Sequence, residues 1–364
     1  MTIAASAPGK LILTGEHAAV YGHPALVAAT GLRLTAEFSA AEAPGVELDF
    51  PALGRRLQLS WNDVLEHARR SRAAWERYAA DPRPELFAEV CDGDPLHLPK
   101  VALGEAADSL NDTEPPPLHL AVRSDLPIGS GLGSSAATAV TLVAGYLAWR
   151  GGSAPFLSHA LEALVNDVER RQHGTPSGID AATVLRGGIL WARRQASGGV
   201  DLSPLSPAAL SSPVLAKLRV WDTGRPPEST GAVVAWVRER RAGNPRHWDG
   251  VLARLGEASA ALRRELESNR EDPPVLRELL CAAEAGLEEL GVVPAPVREL
   301  VRRIEAEGGA AKVSGAGSLA GPGAGVLLVY HPEPERAAAW RFLSELPLYP
   351  MRLGGPGLRL EEIG

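Results

Sequence analysis

The feature that most limits what this chain can fold into is Gly129-Ser-Gly-Leu-Gly-Ser-Ser, because of what flanks it. Before it, Leu118 to Arg123 alternates apolar and polar residues, which predicts a strand. After it, from Ser134 onward, Ala137, Val140, Ala144 and Leu147 recur at steps of three and four, which predicts a buried helix. A glycine loop between strand and helix is a site for an anion. The glycines let the backbone approach closely, the first helical amides have no intrahelical partner, and the helix dipole favours negative charge there. Pro127, Gly129, Gly131, Leu132, Gly133, Ser134, Ser135 and Ala136 are therefore candidate phosphate contacts, and the serine hydroxyls are candidates for phosphate or Mg²⁺. The plainer alternative is a glycine turn with serine as an N-cap, and the strand, loop and helix order argues against it. The pattern GxxxxGK(S/T) occurs nowhere, and no acidic residue closes a second strand as a dinucleotide fingerprint requires.

Composition matters at one point. Of the 37 basic residues only four are lysines: Lys10, Lys100, Lys217 and Lys312. A position content with any cation would more often hold arginine here, so each lysine implies a need for a compact ammonium. Ala7-Pro-Gly-Lys-Leu-Ile-Leu-Thr-Gly-Glu-His17 puts Lys10, Glu16 and His17 on one short strand and turn, although a lone histidine is most often structural. A third segment, Glu169-Arg-Arg-Gln-His-Gly-Thr-Pro-Ser-Gly-Ile-Asp180, ends a predicted helix and then turns. Its two carboxylates can reach one cavity from different stretches of backbone. One carboxylate on Mg²⁺ and one beside a reacting hydroxyl is what phosphoryl transfer needs. The plain alternatives are a solvated helix-end charge for Glu169 and an N-cap for Asp180.

The 364 residues exceed what one hydrophobic core usually serves, so two domains are expected. A net charge of −7 without a basic stripe gives no footprint for nucleic acid. Cys91 and Cys281 lie far apart, outside any metal-ligand spacing. The N-terminus has no basic segment leading into an apolar one, and the run from Ala136 to Trp149 is too short to cross a bilayer, so a soluble cytoplasmic protein is expected. Periodicity predicts strands over 2–7, 11–14, 32–39, 188–192, 218–222 and 325–330, with a turn at Pro8-Gly9. Helices are expected over 63–80, 157–171, 229–241, 247–268, 274–290 and 295–307. The proline-rich stretch 81–117 reads as an irregular surface region or lid holding at most one helix, and 200–215 as the boundary between domains.

Together the three segments resemble the GHMP kinase superfamily, through its PGK…GEH motif and its PxxxGLGSSAA loop. Within it, His173-Gly-Thr-Pro-Ser-Gly-Ile-Asp180 is similar to the mevalonate kinases, and Asp222-Thr-Gly-Arg-Pro-Pro-Glu-Ser-Thr230 resembles their TNTKVPR-S/T segment. The resemblance implies an α+β, two-domain GHMP kinase fold. An N-terminal ribosomal-protein-S5-like, ATP-binding domain would span residues 1–205, and a C-terminal ferredoxin-like α/β domain 206–364. It implies ATP-dependent phosphorylation of the primary hydroxyl of mevalonate, in isoprenoid precursor synthesis, with ATP and Mg²⁺ as cofactors. The loop from Gly129 to Ser135 would hold the triphosphate, and Ser135 and Glu169 the Mg²⁺. Asp180 would accept or orient the hydroxyl proton, with Lys10 beside it on the developing charge. Glu16, His17, Thr223, Gly315 and Ala316 would line the acceptor pocket. No membrane or nucleic acid is implied, and a homodimer stays open. One departure stands out. Where the family reads KLTGAGGGG, this chain reads Lys312-Val-Ser-Gly-Ala-Gly-Ser-Leu-Ala-Gly-Pro-Gly, with Ser318, Leu319, Ala320 and Pro322 altering the loop.

Alternatives on the same fold remain at this point. Galactokinases pair their aspartate with arginine, homoserine kinases lack the PGK and this aspartate pattern, and phosphomevalonate kinases do not usually carry HGTPSGID. Mevalonate diphosphate decarboxylase, a lyase, typically has alanine where Gly133 stands. A catalytically dead ligand sensor is the third class, and intact Lys10, Glu169 and Asp180 argue against it.

Overall fold

A computed structural model describes every residue except 52, 53, 128, 152–157, 175, 196–198, 269 and 364. Residue 157, at the expected start of a helix, and residues 197–198 of the expected boundary lie outside the described residues.

The chain opens with β1 (Thr2–Thr14), β2 (Pro24–Ala40), β3 (Val46–Phe50) and β4 (Arg55–Leu59). Helices α1 (Trp61–Ala80), α2 (Pro84–Cys91) and α3 (His97–Ser109) follow, then β5 (Leu118–Ser124). Next come α4 (Ser134–Trp149), α5 (His159–His173), α6 (Ile179–Arg186), β6 (Ile189–Arg194) and β7 (Val200–Pro204). Short helices α7 (Pro207–Leu210) and α8 (Pro213–Ala216) lead to β8 (Leu218–Asp222). The remainder is α9 (Thr230–Gly243), α10 (Pro245–Ser268), α11 (Pro273–Leu290), α12 (Ala295–Ala306), β9 (Ala310–Ser314), β10 (Val326–Tyr330), α13 (Pro334–Ala338), β11 (Leu348–Tyr349) and β12 (Arg359–Ile363).

Among the described residues these strands form two sheets. The larger runs β12-β1-β2-β5-β3-β4, with β6 on β2 and β7 on β6, and the smaller is β11-β8-β10-β9. The long β2 serves both β5, through residues 34–40, and β6, through residues 24–28. The mixture of helices and strands is the α+β arrangement expected. The last strand, β12, lies within the 206–364 span yet pairs with β1 in the first sheet.

Three expectations give way. The strand-ending turn at Pro8-Gly9 is instead a register shift between Pro8 and Lys10 inside a continuous β1. Gly9 is needed there for close approach: a Cβ on it would stand 2.4 Å from Leu126 Cδ2 and 2.6 Å from the Leu132 carbonyl oxygen. The stretch 81–117 holds two helices, not one at most, and it is no surface lid. Val101, Ala102, Leu103, Ala106 and Ala107 of α3 are all buried, because α3 packs between α1, α4 and α5. Prolines mislead there because Pro84 opens α2 and Pro99 sits in the first turn of α3, where a missing N–H costs nothing.

Helix α4 is buried continuously from Ala136 to Leu147, as a helix apolar on all sides must be. Gly145 lets it press onto the sheet, since a Cβ there would meet Phe38 at 2.2 Å. No helix among the described residues is long and apolar enough to cross a membrane.

Candidate active site

Helix α4 begins at Gly133, whose φ of 74° requires glycine, and no side chain caps it. Its first amides thus stay unclaimed by protein side chains, against the plain reading of Ser134 or Ser135 as an N-cap. Helix α6 likewise begins at a left-handed glycine, Gly178, without a side-chain cap. Lys10 meets both helix starts. Its backbone N–H donates to the Leu132 carbonyl oxygen at 2.9 Å, and its side chain passes the loop where a Cβ on Gly133 would lie 2.6 Å from Lys10 Cγ. Its Nζ ends 3.2 Å from Asp180 Oδ2, in the first turn of α6. Lys10 is only 7% exposed, whereas the Asp180 side chain is 41% exposed, so the ammonium is fixed while the carboxylate opens to whatever enters.

Glu169 stands on α5, four residues before its end, and is 3% exposed. Burial first, and the nearby Asp180 charge second, push its carboxyl up to about 8. Its Oε1 has no hydrogen-bond partner. A buried carboxyl with a free oxygen beside a second carboxylate is a group lacking a cation. Ser135 Oγ lies 2.9 Å from His173 Nε2, and the same nitrogen lies 3.9 Å from Glu169 Oε2. His173, which burial pushes down, was visible in the HGTPSGID pattern, but only the fold shows it on Ser135. Helix α5 is braced from behind. Arg171 forms a buried ion pair with Glu105 of α3, Glu105 also binds Arg72 of α1 at 2.7 Å, and His97 Nε2 approaches the Arg171 carbonyl oxygen at 3.3 Å.

The remaining candidates gather where the two sheets' loops meet. Glu16 is 2% exposed and forms an ion pair with fully buried Lys312 of β9, and burial raises it. His17, in a left-handed conformation at φ 58°, places Nε2 2.9 Å from the Ala316 carbonyl oxygen and so donates to it. Burial pushes this imidazole down, which favours the neutral ring. Ser314 Oγ donates to the Ile12 carbonyl oxygen at 2.8 Å. Thr223 Oγ1 donates to the Gly325 carbonyl oxygen at 2.7 Å and accepts from the Ala324 amide at 2.9 Å. Gly315, at φ 103°, has open space where a side chain would stand. The altered third loop is ordered by its own changes: Ser318 Oγ donates to Glu228 Oε2 at 2.7 Å, and the Leu319 amide donates to the same oxygen at 3.3 Å. Sequence reasoning missed Arg225, whose guanidinium lies against Gly129. The lone signal for it was its place in the 222–230 segment.

The cluster can hold a polyphosphate on the loop, a hydroxyl at Asp180 and a cation at Glu169. Comparison with known proteins agrees with that chemistry. Residues 98–188 match the GHMP kinases N terminal domain. Over 363 residues the chain is 32% identical to the mevalonate kinase of Bos taurus, covering 92% of this chain and 87% of that one. It is 29% identical to the mevalonate kinase of Aeropyrum pernix, with 98% of each chain covered. The solved mevalonate kinase of Methanococcus jannaschii superposes with a TM-score of 0.76 at 19% identity, over 98% of both chains, and so shares the fold.

Proposed function

This chain belongs to the mevalonate kinase family of GHMP kinases, and from that membership and the site we propose that it moves the γ-phosphoryl group of ATP to the primary hydroxyl of mevalonate. The observation that carries the reading is the Lys10–Asp180 pair standing between two helix starts that no side chain caps.

The argument for each residue is physical. The unclaimed amides of Gly133 to Ser135 suit phosphate oxygens. Asp180, open to solvent, suits the incoming hydroxyl, and with Lys10 beside it the carboxylate orients the nucleophile more than it deprotonates it. Lys10, fixed and nearly buried, suits the charge that spreads over the transferring group in a loose transition state. Glu169 with its free Oε1, and the Ser135 hydroxyl, fit Mg²⁺. Among the described residues no group of three or more His, Cys, Asp or Glu side chains is placed to hold a metal, so the other ligands would be phosphate and water oxygens, as Mg²⁺ prefers. The ion would neutralise phosphate charge and keep Glu169 ionised. Glu16, His17, Thr223, Gly315 and Ala316 suit the acceptor wall, with Glu16 and His17 held in place by Lys312 and Ala316.

One observation weighs against the lyase alternative. Alanine at 133 would need both a left-handed φ and a Cβ 2.6 Å from Lys10 Cγ. The test is ATP-dependent ADP release with mevalonate, phosphomevalonate, homoserine and galactose supplied separately. Turnover with mevalonate is expected. Turnover with another acceptor alone would overturn the substrate and leave the fold standing.

A further inference from the structure

Lys10 meets the phosphate loop at Gly133, where the helix begins. The opposite end of the loop also has a cation on it. A Cβ on Gly129 would stand 3.1 Å from Arg225 Nε and 3.4 Å from its Cζ, so the guanidinium lies against the first glycine of the loop. Arg225 is exposed and has no hydrogen-bond or ion-pair partner among the described residues.

Its backbone is held in that position. The Thr223 amide donates to the Gly325 carbonyl oxygen at 2.8 Å, and the Gly325 amide donates to the Gly224 carbonyl oxygen at 2.9 Å. Gly325 in turn rests on the loop, since a Cβ on it would lie 3.0 Å from the Ser130 carbonyl oxygen. Pro226 restricts the backbone of Arg225 itself. The C-terminal half thus delivers this side chain onto Gly129 through backbone contacts.

A second observation concerns charge. Where the resembled TNTKVPR-S/T segment has its second basic residue, this chain has Glu228. Glu228 is turned onto Ser318 and Leu319, two of the residues that alter the third loop. The two departures from the family pattern therefore satisfy each other, and Arg225 is left as the cation this segment presents to the phosphate loop.

We propose that Arg225 grips the non-transferred phosphates of the bound nucleotide. This rests on the kinase reading above. The γ-phosphate must lie at the Gly133 end, because Asp180 is there, and a triphosphate laid along the loop then brings its other phosphates to Gly129. A guanidinium fork suits two phosphate oxygens at once. Charge grows on the departing ADP in a loose transition state, so a fixed cation there speeds transfer as well as binding.

The experiment titrates ADP into the full-length wild type, Arg225→Ala, Arg225→Lys and, as a control cation, exposed Arg264→Ala, and measures steady-state constants for ATP and mevalonate on each. Arg225→Ala is expected to weaken ADP binding about tenfold and to raise KM for ATP similarly, with KM for mevalonate within about twofold. Arg225→Lys is expected to recover part of the loss, and Arg264→Ala to match wild type. ADP affinity within about twofold of wild type in Arg225→Ala, or an equal or larger change in KM for mevalonate, overturns the proposal. ADP binding is read without an acceptor. Failure of the wild type to phosphorylate mevalonate would therefore count against the kinase reading alone.

Discussion

Lys10 and Lys312 are both buried lysines paired with a carboxylate, and they do opposite things. Lys10 faces a carboxylate that is 41% exposed, in a cleft built from a bulged strand and two helix starts. Lys312 is sealed: it is wholly buried, as is its partner Glu16, and it donates to the Val313 carbonyl oxygen at 2.8 Å as well. Glu284 lies beside it, buried, with Oε2 accepting from the Val313 amide at 2.9 Å and Oε1 unpartnered. The first pair can exchange its partner for substrate. The second joins β9 to the Glu16 turn, next to the Ser314–Ile12 and His17–Ala316 contacts, and sets where the acceptor wall stands. Openness at the carboxylate, more than the charge pair itself, separates a reacting group from a brace.

The comparison can be broken most severely at Asp180. In Asp180→Asn, kcat should fall by about 10³ or more, roughly 4 kcal/mol of transition-state stabilisation, while ADP still binds. Unfolding stability should change by less than about 1 kcal/mol, since the pair is partly exposed. Near-normal kcat would remove Asp180 from the chemistry. Lys312→Met tests the brace. It leaves Glu16 buried without its cation, which should cost about 3–5 kcal/mol in denaturant unfolding, and adding Glu16→Gln should return part of that. A cost near zero would mean the sealed pair braces nothing.

Lys10→Arg sharpens the contrast. It keeps the charge but brings a wider planar group past Gly133, so kcat should drop about 10²-fold with little change in Tm. Activity near wild type would show that any cation serves. The smallest effect is expected at Glu284, which burial pushes up to about 8 from an ordinary value of 4.5. A folded-state pKa above the unfolded one gives stability that is full at low pH and is lost as pH rises towards 8. Glu284→Gln keeps an acceptor for Val313 but has no proton to lose. Its Tm relative to wild type should therefore rise between pH 5 and pH 8, by several degrees. Parallel Tm curves would refute the assignment of a buried neutral carboxyl.

Much of the site was legible from local sequence because its parts are local. The helix start after Gly133 needs only glycines followed by an apolar period, and the scarcity of lysine marked Lys10 and Lys312. The proline-rich stretch was misread because proline at a helix start and proline in a loop look alike in one dimension. Only packing against α1, α4 and α5 distinguishes α3 from a surface segment. Likewise β12 carries no signal of its destination, since an exposed five-residue strand takes its partner from the sheet edge it reaches.

Sequence alone determined which groups this protein owns for phosphoryl transfer: the glycine loop, Lys10, Glu169 and Asp180. Tertiary structure decided how they are used. It buried Glu169 with a free oxygen and left Asp180 open. It locked Glu16 to Lys312 across 296 positions of chain, and it carried Arg225 onto Gly129. The physical reason is that charge and side-chain type belong to a residue, whereas desolvation and partnership belong to whatever the fold brings against it.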